Sequence, residues 1–287
     1  MWKGAHLQTG DEEKKTTRRR FLKRLVYSGL GGCVVLGVYP FIEARFYSVT
    51  RVRINVPYLP AAFRGTQIAL LSDIHHGPHF GIGFVESIVR DTNELRADIV
   101  ALCSDYVHRD PKYIEPCIAE LAKLRSRLGV FAVLGNHDFW ESAPRTRAAL
   151  RDAGITEVTN SGVWLERAGA RLRICGVDDF WEGTQDIDAA LDDCSETEAA
   201  ILLSHNPDYV EDIRDQRAGL VLSGHTHGGQ VDIPFIGPPV VPSRYGKKYV
   251  SGLVKTPHTQ VYVSKGLGGI TPPARFNCRP EIVVITL

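Results

Sequence analysis

The chain has 287 residues, 44% of them apolar and 23% charged, with 27 glycines and 16 prolines. That length and composition fit one large domain or two small ones and exclude an extensively disordered chain. A net charge of +1 gives no general polyanion-binding character, so no nucleic-acid partner is expected.

The charge is unevenly placed. Residues 1–24 carry eight basic and three acidic side chains, a net +5, which leaves −4 for the remainder. Thr17-Arg18-Arg19-Arg20-Phe21-Leu22-Lys23 resembles the twin-arginine export signal, and an apolar stretch from Leu25 to Ile42 follows it. Gly29, Gly31, Gly32 and Gly37 make that stretch a poor stop-transfer helix and a suitable signal core. It is also close to the roughly 20 residues that a bilayer span requires. Residues 1–46 are therefore expected to be an export signal or membrane anchor, and residues 47–287 the working domain. The expected partners of the head are the twin-arginine translocase and a membrane surface. The expected location is exported, either anchored on the outer side of an inner membrane or free in the periplasm or cell envelope. Ile42-Glu43-Ala44 matches a cleavage site weakly. Leu30-Gly31-Gly32-Cys33 is a poor lipoprotein box, because Val34 to Val38 continues the apolar run.

Thr50 to Val56 reads as an opening strand, and Pro57 to Gly65 as a turn-rich link. Ile68 to Leu71, Ile99 to Leu102, Val130 to Leu134, Ile201 to Leu203 and Leu220 to Leu222 are short apolar runs that read as buried strands. Phe84 to Leu95 has helical spacing, with Val85, Ile88 and Val89 on one face. Ile114 to Leu128 repeats it through Ile118, Leu121 and Leu124. Ala143 to Ala153 predicts a third helix, preceded by an aromatic turn at Phe139-Trp140. Val163 to Glu166 and Arg171 to Val177 flank Gly169 as a hairpin, and Ile187 to Leu191 starts a short helix. Gln260 to Ser264 and Glu281 to Leu287 are the last strands. Parallel βα units followed by hairpins predict an α/β fold, a four-layer α/β/β/α sandwich with two facing sheets. Cys103 and Cys175 fall inside strand patterns and Cys117 on a predicted helix, so buried free thiols are expected rather than disulfides.

Each of the five apolar runs from Ile68 to Leu222 ends in residues that can bind metal. In order these are Asp73-Ile74-His75, Ser104-Asp105, Gly135-Asn136-His137-Asp138, Ser204-His205-Asn206 and Gly224-His225-Thr226-His227. Ligands at the carboxyl ends of several strands converge in one crevice of an open α/β sheet. The mixture of carboxylate, amide oxygen and imidazole in Asp73, His75, Asp105, Asn136, His205, His225 and His227 suits Mn, Fe or Zn. Two such divalent ions can hold a bridging hydroxide and clamp a phosphoryl group, which is the chemistry of phosphate-ester hydrolysis.

These motifs, above all Gly-Asn-His-Asp and Gly-His-Thr-His-Gly-Gly, resemble the calcineurin-like metallophosphoesterase superfamily from about residue 50 onward. Tyr262-Val263-Ser264-Lys265-Gly266-Leu267-Gly268 and Arg275-Phe276-Asn277-Cys278-Arg279-Pro280-Glu281 are similar to its exported bacterial phosphodiesterase branch. The resemblance implies one metal on Asp73, His75, Asp105 and His227, and a second on Asp105, Asn136, His205 and His225, with Asp105 bridging. It also implies that His137 gives a proton or hydrogen bond to the phosphoryl or leaving-group oxygen, with Asp138 orienting its ring. Candidate phosphate contacts are His76, Arg244 and Arg275. One position departs from the pattern. Ser104 stands where the family usually has Gly, and an ordinary β conformation is expected for it.

The expected function is hydrolysis of phosphodiester or pyrophosphate bonds in cell-envelope or lipid-linked phosphoester substrates, through a metal-bridging hydroxide. Two rivals remain at this stage: a nucleotide or phosphoprotein phosphatase on the same scaffold, and a membrane-anchored binding protein on a decayed one. Retention of every ligand position argues against decay.

Overall fold

In the computed structural model, which describes residues 20, 21, 23, 24 and 37–287, strands and helices alternate much as the apolar periodicity predicts. The first half runs β1 (Ser48–Arg53), β2 (Gln67–Ser72), α1 (Ile82–Leu95), β3 (Ile99–Cys103), α2 (Ile114–Leu121), β4 (Val130–Val133), α3 (Asn136–Asp152) and β5 (Thr156–Glu157). The hairpin β6 (Ser161–Arg167) and β7 (Ala170–Gly176) comes next, then α4 (Ile187–Leu191), β8 (Ala200–Leu203) and β9 (Ala218–Ser223). β10 (Gly252–Lys255), β11 (Gln260–Val263) and β12 (Glu281–Thr286) complete the order.

The strands form two six-stranded sheets, ordered β1-β12-β2-β3-β4-β5 and β10-β11-β9-β8-β7-β6. In the first, β2, β3, β4 and β5 are parallel neighbours, and β12 runs antiparallel to β2. In the second, β7, β8, β9 and β11 are parallel, with antiparallel strands at both edges.

Alternate residues of each central strand serve different cores, because side chains along a strand point to opposite faces. Ile68 and Leu70, Ile99 and Ala101, and Phe131 and Val133 face the second sheet, where they meet Ile201, Leu203, Leu220 and Leu222. Ala69, Leu71, Val100 and Leu102 point outward onto Val85, Ile88, Ile118 and Leu121 of α1 and α2. On the far side, Leu202 and Val221 pack under Ala190, Leu191, Tyr209 and Val210. The layering is α/β/β/α, with a thin fourth layer made of the five-residue α4 and a 3-10 turn at Pro207–Glu211.

Several boundaries differ from the sequence expectation. α2 stops at Leu121 rather than Leu128. Both amide atoms of Asn93 clamp the following loop, through Arg125 N–H and Lys123 C=O, and Leu128 N–H donates to Asp98 C=O. α3 begins at Asn136, so Phe139 and Trp140 are helical rather than a turn. Its break comes at Ser142, with φ 176°, two residues before Pro144. Proline removes a helical donor and crowds the preceding turn. The hairpin around Gly169 and the helix at Ile187–Leu191 form as expected.

Packing extends to the amino-terminal side of residue 47. Residues 37–43 are helical, Ala44 is buried, and the Glu43 carboxylate accepts the backbone N–H groups of Asn277 and Cys278 at 3.1 and 2.9 Å. The Arg18-Arg19 pair and the Leu30–Cys33 box lie outside the described residues. Among the described residues no helix is long and apolar enough to cross a membrane. The five described cysteines are buried and free.

Candidate metal centre

β2, β3, β8 and β9 end side by side, and the residues just past them turn inward through an uncommon backbone conformation. Asp73, His75, Asp105, His225 and His227 all have positive φ, between 49° and 70°. Asp, Asn and His tolerate this left-handed region better than most residues, and strained positions concentrate at functional sites. The turns are tied together: Asp73 N–H donates to Ser104 C=O, and His75 N–H to Asp105 C=O, both at 2.9 Å. Two glycines make room. A Cβ on Gly135 would lie 2.4 Å from Asp105 Oδ1, and one on Gly224 would lie 2.3 Å from Asp73 Oδ2.

All seven sequence-predicted ligands converge here, and all seven are buried. In one group, His75 Nε2 lies 3.1 Å from His227 Nε2 and 3.5 Å from Asp105 Oδ2, while His227 Nε2 lies 3.6 Å from Asp73 Oδ1. In the other, His205 Nε2 lies 3.2 Å from each of Asp105 Oδ2, Asn136 Oδ1 and His225 Nδ1. Metal–ligand bonds of about 2.1 Å give ligand–ligand edges of roughly 3.0–3.4 Å, so these donors already stand at coordination-sphere spacing. Among the described residues, Asp73 and Asp105 have no Lys or Arg partner; their ion pairs are with histidines alone. Buried carboxylates without a cation are costly, so the donor set fits divalent metal.

The electrostatics agree for three of the four histidine donors. Burial pushes His75 and His227 well below the ordinary imidazole range, and His225 down to about 3, which keeps them neutral as ligands must be. Burial would do the same to His205, but the Asp105 charge outweighs it and raises His205 to about 10. Burial also lifts Asp73 to about 6. For Asp105 burial acts upward, yet His205, His137 and His75 hold it well below the carboxylate range. Outside the donors, His205 Nδ1 sits 3.2 Å from Cys103 C=O, which fixes the tautomer that presents Nε2 to a metal.

Above the donors opens a cleft of about 360 Å³. Besides Asp105, Asn136, His225 and His227, its lining includes His108, Arg109, His137, Trp140, Trp181 and Ile270. The Trp140 ring rests 4.6 Å from that of His137, and the Trp181 ring 4.4 Å from that of His225. His137 Nδ1 lies 3.2 Å from His108 Nδ1. His108, Trp140 and Trp181 were missed by sequence reasoning. His137 and Trp140 stand at i and i+3, so starting α3 at Asn136 would have exposed that pair. Trp181 has no local signal; Asp179 aims its loop by accepting the Trp181 and Glu182 amides.

Five expectations need correction. The Asp138 carboxylate does not hydrogen-bond the His137 ring. Its carboxylate accepts the N–H groups of Asp105, Tyr106 and Gly135 at 2.9–3.0 Å, and so fixes the backbone around Asp105. His76 is buried with Nδ1 on Phe80 C=O. Arg275 is fully buried and donates to the carbonyls of His227, Lys265 and Gly268, so it positions a ligand rather than meeting substrate. The Arg244 guanidinium packs over Phe180, outside the cleft lining. Ser104 is not in a β conformation; its φ is +65°.

The sequence profile of calcineurin-like phosphoesterases matches residues 66–229. The chain belongs to that metallophosphoesterase family. Metallophosphoesterase YkuE of Bacillus subtilis, itself uncharacterised, is 33% identical over 96% of this chain and 98% of its own length. Phosphodiesterase YaeI of Escherichia coli is 28% identical over 94% and 99%. A bovine transmembrane protein with a metallophosphoesterase domain is 32% identical over 84% of this chain, which spans 57% of that relative. The family uses divalent metals, and its members are hydrolases.

Ser104 carries a direct test. A left-handed conformation costs an L-residue about 1–2 kcal/mol, and the buried Ser104 hydroxyl has no hydrogen-bond partner. Glycine loses about 0.5–1 kcal/mol more backbone entropy on folding, so Ser104→Gly is expected to stabilise by about 1 kcal/mol net. Urea unfolding should show a higher midpoint at unchanged slope. A lower midpoint would refute the strain argument.

Proposed function

We propose that this chain is a dinuclear metallophosphodiesterase that cleaves phosphodiester or pyrophosphate bonds in cell-envelope or lipid-linked substrates. The observation that carries the reading is the single Asp105 carboxylate set between two donor groups, beneath a cleft with apolar walls. Asp73, His75, Asp105 and His227 would hold one ion, and Asp105, Asn136, His205 and His225 the other, with Mn, Fe or Zn suiting the donors. Such ions supply a strong nucleophile near neutral pH and neutralise phosphoryl oxygens.

The chain's own groups orient and protonate. Asp105 Oδ1 accepts His137 N–H at 3.0 Å, which fixes the start of α3 against the bridging carboxylate. Two Nδ1 atoms 3.2 Å apart require one donor and one acceptor. Burial lowers both rings, His108 to about 4, so the pair shares one N–H rather than two charges. His108 Nε2 is buried without a partner, and a bare acceptor there costs less than an orphaned donor. His108 therefore donates from Nδ1, and the His137 proton sits on Nε2, where it can reach a phosphoryl or leaving-group oxygen.

The walls favour a diester. Arg109 is the one Lys or Arg among the lining residues, whereas Trp140, Trp181, Pro242 and Ile270 offer apolar surface to a second substituent. Export by the twin-arginine route belongs to the same reading. Thr17 to Lys23 supports it, and buried free thiols suit a protein folded before transport.

Asp105→Asn should weaken both metal sites, with elemental analysis showing clearly fewer than two ions per chain; retention of both ions and of activity would refute the bridge. In contrast, His137→Ala should keep its metal and lose about 10²–10⁴ in kcat on a generic diester, less for very good leaving groups. Metal loss in that variant would make His137 a ligand. Replacing Arg18, Arg19 and Arg20 together with Lys should strand the folded enzyme in the cytoplasm, as cell fractionation would show, because a receptor reads the pair rather than bulk charge. Normal export of that variant excludes this route.

A further inference from the structure

The turn that carries His227 leads straight into the most exposed apolar segment of the described chain. Phe235 is 109% exposed, Val240 73% and Ile236 66%, and Ile233 and Pro234 continue the run. Large apolar side chains normally leave water, and clustered exposure marks an interaction surface rather than chance. The segment is nevertheless built, not frayed. Ile236 and Gly237 N–H both return to Ile233 C=O, Lys247 Nζ donates to Ile236 C=O, and Pro238 packs against Gly229 of the ligand turn. Its far end, Pro242, lines the metal cleft.

A second apolar group lies along the same edge. Val38, Phe41, Ile42 and Phe46 are 47–62% exposed. Phe276 joins the two: its backbone pairs with Gln230 and Asp232 at the root of the loop, and its ring meets Tyr39 edge-on at 6.2 Å. The apolar sequence Leu25 to Ile42 enters the described fold at this edge. Exposed Arg45 and Lys247 flank it. An apolar tip with a basic rim matches the boundary between acyl chains and anionic headgroups.

We propose that this edge, the 233–240 loop together with residues 38–46, seats the enzyme on an anionic phospholipid bilayer. The loop tip enters the headgroup boundary and the cleft opens beside it. That the cleft then meets lipid-borne phosphodiesters rests on the phosphodiesterase reading above; the seating does not.

Full chain with Cys33→Ser retains only buried thiols, so Phe235→Cys can carry an environment-sensitive NBD label. On vesicles of phosphatidylethanolamine and phosphatidylglycerol at about 3:1, its emission should shift to the blue and be quenched by nitroxide-bearing lipid. Exchanging phosphatidylglycerol for phosphatidylcholine should weaken the quenching. A label at Glu196→Cys, ahead of β8 and at the opposite end of the strands from the ligands, should keep its aqueous emission. Aqueous emission at position 235 on vesicle-bound protein overturns the proposal. So does a shift that appears without lipid and grows with protein concentration, which marks an interface between copies. The labelling experiment reads no turnover, so its failure is separate from failure of the enzymatic reading. The double variant Phe235→Ser, Ile236→Ser should keep its rate on a water-soluble diester and lose at least about tenfold on a vesicle-embedded one, because two large apolar groups leave the interface. Equal, measurable rates of variant and parent on the embedded diester also overturn the seating.

Discussion

Two carboxylates, Asp73 and Asp105, sit in the interior with no Lys or Arg among the described residues to meet them, and much of the surrounding structure follows from that constraint. Buried carboxylates that meet no Lys or Arg are costly, so the arrangement fits divalent cations. The backbone is arranged to the same end. Five donor residues stand in the left-handed region so that short side chains project back over the strand ends, and Gly135 and Gly224 remove the Cβ atoms that would collide with the carboxylates. A local strain of this kind persists only where the surroundings over-determine it. Here the two facing sheets supply that rigidity.

Other charged residues near the centre hold backbone rather than substrate. Asp138 gathers three amides around Asp105, Arg275 gathers three carbonyls around His227, and Asp179 gathers the amides of Trp181 and Glu182. Each is buried, and each would be costly if left unpaired. Together they explain how loops rather than strands can keep metal donors at fixed spacing.

The convergence of the candidate metal donors was legible because each sits two to five residues past an apolar run, a local pattern that strand geometry turns into convergence. The layer order was legible for a similar reason, since period-two alternation and helical spacing each report one neighbour. What was not legible depends on distant contacts. Nothing within a few residues of Arg275 or Asp138 says that the side chain points inward to backbone, and charge alone suggested solvent or substrate. The end of α2 is set by Asn93, about thirty residues earlier. The φ of Ser104 follows from its place among the crossing turns, which its own residue type opposes.

The position of β12 carries a consequence for how the molecule is made. This last strand lies between β1 and β2, parallel to one and antiparallel to the other. Until residues 281–286 emerge, β1 has no partner in its sheet and one edge of β2 stays open. At about 5–20 residues per second, translation from β2 to β12 takes roughly 10–40 s. Over that interval the nascent chain presents unpaired, strongly apolar strand edges, the kind of surface that chaperones exist to cover. Closure of that sheet therefore follows synthesis of β12.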